Sequence, residues 1–160
     1  MKKGDVTADD LRRLNDSVYR TLPRNEALVI CPWLRRMEDS SALVPTLQHD
    51  SERIVLQDLR ARLEGSLADE RGNPRLGLSR ARALVLGDWL WRMNQSRALE
   101  PFLTQAEQSV IWTLEDWLDH ALIFEFHGTM QHGEATSEPG YEALVRAARA
   151  EVMADRARTN

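Results

Sequence analysis

Apolar residues recur at helical spacing along most of the chain, and alternating runs are short. Leu11, Leu14, Val18 and Leu22 lie three or four apart, and Thr7 with Asp10 approximates a capping box ahead of them. A helix is therefore expected over 8–22, ended by Pro23. Further helices are expected over about 26–38, disturbed by Pro32, and over about 51–68. The polar stretch 69–75, with its Gly72-Asn73-Pro74 breaker, reads as a loop. Ser79 is a favourable N-cap for a fourth helix, and Thr104 with Glu107 forms a T-x-x-E capping box for a fifth. A polar loop over 128–137 separates these from a last helix over 139–157. The pattern predicts an all-α fold of about six helices in a single compact domain.

The chain also matches itself. Shifted by 56, residues 27–47 share 12 of 21 identities with residues 83–103. They include Trp33/Trp89, Arg36/Arg92, Met37/Met93 and Pro45/Pro101. One residue is then lost, and Glu52/Glu107, Val55/Val110, Leu59/Leu114, Leu63/Leu118 and Leu67/Leu122 follow at a shift of 55. The expected architecture is thus an internal duplication of a helix–corner–helix unit of about 55 residues, over 26–68 and 79–125, because the residue before each Pro is biased to extended backbone. The two Trp at matched positions are expected in a shared core.

Positions that differ between the matched segments carry what is special to one of them. Trp91 stands where the first segment has Arg35, Trp112 where it has Gln57, and Trp117 where it has Arg62. On a helical wheel Val110, Leu114, Trp117, Leu118 and Ala121 share one face, and Trp112, Asp116, Asp119 and Ile123 fall opposite. An exposed Trp and Ile beside acids is unusual for a solvated face and typical of a contact surface.

Charge sharpens this reading. The chain has 160 residues and a net charge of −4, yet residues 98–145 carry nine acids and no Lys or Arg. Such a face attracts a basic partner protein and repels phosphate, so direct nucleic-acid binding is not expected. The two N-terminal lysines are not followed by an apolar stretch, so neither a signal peptide nor membrane association is expected. Cys31 is the single cysteine, which excludes an internal disulfide and points to the cytoplasm. A buried structural thiol is its expected role.

Candidate chemistry is sparse. His120, His127 and His132 cluster with Glu125 and Glu134, a donor set that suits a divalent metal, but the spacing matches no metal motif. No metal and no cofactor are expected. Glu115 and Asp116 do not form an acid–base pair, since neighbours on a helix diverge by about 100°. The expected function is a binding module that captures a basic protein through Trp112, Asp116, Asp119, Ile123, Glu115 and Trp91. One version is an inhibitor of immunity-protein or antitoxin type that neutralises a basic nuclease toxin. Two alternatives stay open: a structural subunit or adaptor acting by homo-oligomerisation, and a metal-dependent enzyme using the three histidines.

Overall fold

The computed structural model describes residues 12, 14–39, 49–69, 72–97, 103–125 and 139–159, with backbone alone at 39, 69, 122–125, 139–141 and 159. Its elements run β1 (Ser17–Thr21), α1 (Arg24–Asp39), α2 (Asp50–Asp69), β2 (Arg75–Ser79), α3 (Arg80–Ser96), α4 (Gln105–Glu125) and α5 (Pro139–Thr159). The fold is mostly helical, as the periodicity predicts. Five helices are bounded among the described residues, together with a two-stranded antiparallel ribbon, and Arg12 is helical as well. No described helix is long and apolar enough to cross a membrane.

The helix expected over 8–22 is corrected from Leu14 onward; Arg12 is helical, and residues 8–11 and 13 lie outside the described residues. Leu14 and Asn15 make a turn, and residues 17–21 are a strand paired with residues 75–79. The spacing misled because four is an even number: Leu14, Val18 and Leu22 share a face in a helix and equally in a strand. All three are buried, and Val18 lies opposite the buried Leu78. The loop expected over 69–75 is too long by one residue at each end, since Asp69 closes α2 and Arg75 opens β2. A lone two-stranded ribbon is marginal in water, and this one is covered by its contacts with α2 and α3. Pro32 does not break α1, which runs through it with Pro32 exposed.

The helix starts follow local chemistry. Ser79 caps α3, its hydroxyl accepting from the Arg82 N–H at 3.2 Å. Thr104 and Glu107 close their capping box in both directions, at 2.9 and 3.2 Å. The corners that contain Pro45 and Pro101 lie outside the described residues.

Matched positions occupy like environments. Trp33 and Trp89 are both fully buried, as are Ala27 and Ala83, Leu59 and Leu114, and Leu63 and Leu118. Helix α1 packs on α2 and α4, and α3 packs on α4 and α2. In the ribbon Arg20 pairs with Leu76, residues that are themselves 56 apart. The middle pair of the ribbon is Tyr19 and Gly77. Helix α5 departs from this arrangement: it packs on α3 and α2.

The charged residues common to the matched segments, Arg36/Arg92 and Glu52/Glu107, join across them. Arg36 on α1 pairs with Glu107 on α4 at 2.7 Å, and Arg92 on α3 pairs with Glu52 on α2. Each carboxylate also caps its own helix, accepting from the N–H of Thr104 or of His49. Burial pushes the Glu107 carboxyl up, but the Thr104 N–H and the Arg36 guanidinium outweigh it and hold its pKa below the ordinary value.

Candidate functional site

Helix α4 contains no Lys or Arg. Its inner face buries Val110, Ile111, Leu114, Trp117 and Leu118. Its outer stripe is different: Trp112 is 55% exposed, Asp116 is exposed, and Glu115 and Asp119 are half-buried. Positions 112, 115, 116 and 119 are neighbours along one side of the helix. Trp91 is half-buried on α3, which packs against α4. The side chain of Ile123 lies outside the described residues.

Beside Trp112 a hollow runs between the end of α3 and the start of α4, lined among others by Met93, Arg97, Ile111 and Glu115. It encloses about 30 Å³, roughly one water molecule. Trp112 therefore stands as a knob on a shallow surface and does not close a ligand cavity. Arg97 ends α3 in the left-handed region at φ 57°, with its N–H on the carbonyls of Asn94 and Met93. It places one base at the border of the acidic stripe.

The carboxylates of the stripe are perturbed. Burial, reinforced by the charge of Asp119, pushes Glu115 up to about 7. Burial, reinforced by Asp116 and opposed by His120, pushes Asp119 up to about 6. Their ordinary values are 4.5 and 3.8. Between those values and the raised ones the folded chain holds protons that the unfolded chain has released, so stability falls as pH rises through this window. The cost is fully present above about pH 7. Glu115→Gln removes it, so the variant should exceed wild type by about 1 kcal/mol at pH 8, after allowance for solvent screening, and match it near pH 4. Urea unfolding at the two pH values reads this directly. An equal effect at both would show that the carboxylate is not the cause.

The histidine cluster does not assemble among the described residues. His120 is exposed, with Nδ1 at 2.8 Å from the Asp116 carbonyl and 3.6 Å from its carboxylate. His127 and His132 lie outside the described residues. No group of three or more His, Cys, Asp or Glu is placed to hold a metal among the described residues. Cys31 is buried, and burial first, then Glu64, pushes its thiol up to about 11, so it stays protonated at neutral pH.

Sequence reasoning overlooked the crossed Arg36–Glu107 and Arg92–Glu52 pairs, although the signal was there. An Arg and a Glu kept in both matched segments, amid apolar matches, call for a common partner. Arg92 also meets Asp88 at 3.0 Å, and Asp88 meets Arg149 of α5 at 3.1 Å, so one network ties α2, α3 and α5. No family model matches the chain, and no curated protein or solved structure matches it.

Proposed function

We propose that this chain is a protein-binding module, built from a duplicated helix–corner–helix unit, that captures a basic partner protein on the Trp112 stripe of α4. The observation that carries the reading is the exposure of Trp112 among acids on a helix without a base. A large aromatic held open to water costs solubility and is typical of an interface anchor. The acids steer a basic partner toward it and set orientation. Glu115, pushed up to about 7, and Asp119, pushed up to about 6, still hold part of their protons between those values and release them when a cation settles beside them, so binding strengthens as pH rises from about 6 to 8. An inhibitor of immunity-protein or antitoxin type, directed at a basic nuclease toxin, is the version that uses all of these features. The duplication is supported by the matched burial, the crossed ion pairs and the pairing of Arg20 with Leu76, residues 56 apart.

The test is affinity capture with wild type and with Trp112→Ala, followed by kinetics on the basic protein recovered. Trp112→Ala should weaken binding by roughly 2 kcal/mol or more and change stability by less than about 1 kcal/mol. Asp116→Asn should slow association, and the difference should shrink as salt rises. Equal recovery by both proteins, or a large fall in the Tm of Trp112→Ala, would remove the basis for the reading. A doubled mass in light scattering that reverts to one chain in Trp112→Ala would assign the stripe to self-association instead.

A further inference from the structure

The hollow beside Trp112 has a counterpart in the first matched segment. Between α1 and α2 a smaller hollow is lined by Met37, Leu56 and Gln57, and the positions that match them in the hollow of α3 and α4 are Met93, Ile111 and Trp112. The two hollows are the same place on the two segments. What differs around them is what is special to each.

The first segment supplies its own guanidinium there. Arg60 of α2 donates through Nε to Glu38 and lies 3.3 Å from Glu64, one turn further along the helix. Glu64 also meets Arg35 of α1 at 2.8 Å. One carboxylate is thus held between two arginines. In the second segment the carboxylate stays and the arginines do not. Asp119 matches Glu64, but Trp91 stands for Arg35, Glu115 for Arg60 and Asn94 for Glu38. Glu115 and Asp119 are four apart on one side of α4, like charges that repel. Burial and the charge of Asp119 push the Glu115 carboxyl up, and no base pulls it down. Among the described residues the Glu115 carboxylate has no ion pair and no hydrogen bond.

We propose that an arginine of the partner takes this place, its guanidinium between Glu115 and Asp119 and flat against the Trp112 indole, as Arg60 lies beside Glu64 in the first segment. This rests on the reading of the Trp112 stripe as the site of a basic partner, and it names the side chain that the stripe selects. A planar guanidinium donates to two carboxylates at once and stacks on an indole, whereas an ammonium is a point charge that keeps its water more tightly. Leu90, Met93 and Ile111 at the hollow receive the methylenes of the arginine stem.

Tetra-arginine and tetra-lysine are the probes, because they carry equal charge. The readout is the Trp112 indole N–H resonance of the full chain at pH 8, assigned with Trp112→Phe. Tetra-arginine should shift it saturably with a Kd below about 1 mM, and tetra-lysine should bind more weakly by about fivefold or more. Glu115→Gln should bring the two peptides within about twofold of each other. Glu115→Arg copies Arg60. It should abolish the response to tetra-arginine and raise the Tm at pH 8, as the new guanidinium meets Asp119. Equal affinities for wild type, or a preference for tetra-arginine that survives Glu115→Gln, would overturn the assignment of arginine and leave the stripe a site for bases of either kind. Undiminished binding by Glu115→Arg would place the peptide elsewhere and overturn it too. No shift with either peptide would remove the reading of the stripe together with this inference.

Discussion

Trp33→Ala and Trp89→Ala should each destabilise the fold by about 3–5 kcal/mol. Both side chains are fully buried, one on α1 and one on α3, so truncation leaves a void that neighbours fill only in part. Their matched environments imply similar costs, within about 1 kcal/mol of each other. Each indole N–H lacks a hydrogen-bond partner. Phenylalanine therefore loses volume and no hydrogen bond, and Trp33→Phe and Trp89→Phe should cost only about 1–2 kcal/mol. The two rings border one small void together with Leu34 and Met37, so the double alanine variant should depart from additivity by about 0.5–3 kcal/mol. Urea unfolding of the four single variants and the double one checks all of this. A cost under about 1 kcal/mol at either position would mean that the site is not part of a shared core.

Glu52→Ala should cost about 3 kcal/mol, and Glu107→Ala about half as much. The two carboxylates make matched contacts but differ in shielding. Glu52 is buried and Arg92 is 18% exposed, whereas Arg36, the partner of Glu107, is 57% exposed. Water already screens the second pair, so its loss removes little beyond the capping box. The first pair is shielded, and its loss leaves a largely buried guanidinium. Asp88 at 3.0 Å still neutralises Arg92, which keeps the cost near the lower end for a broken buried pair. The Glu107 contribution also has a pH signature. Its folded pKa is depressed, so its stabilisation is present above the unfolded value of 4.5 and is lost as pH falls through the folded one. Unfolding curves at neutral pH in low and high salt separate the pairs: added salt should narrow the gap between wild type and Glu107→Ala and leave that for Glu52→Ala. Equal costs, or a Glu52→Ala gap that closes with salt, would overturn the assignment of burial as the cause.

Much of this fold was legible in one dimension. Helix positions over 24–39, 50–69, 80–96, 105–125 and 139–159 follow the 3.6-residue period and the capping residues Ser79 and Thr104, which act locally. The outward stripe of α4 was legible for the same reason. The wheel sets Trp112 and Asp116 opposite the apolar face, and both are exposed. The matched segments were legible because identities in Trp, Met, Arg and Pro kept one register.

Three things were decided only in three dimensions. Residues 17–21 became a strand because β2 was there to pair with them, and a spacing of four permits either state. Arg36 and Arg92 found their carboxylates on the opposite segment, because the matched segments pack crosswise and not each upon itself. Helix α5 is held on α3 by the pairs of Arg82 with Asp155 and of Asp88 with Arg149, residues more than 60 apart in the chain. Local periodicity and capping act over a few residues and can be read along the chain. Strand partners and helix seats depend on residues that folding brings together from far apart, and no window along the sequence contains both sides of such a contact.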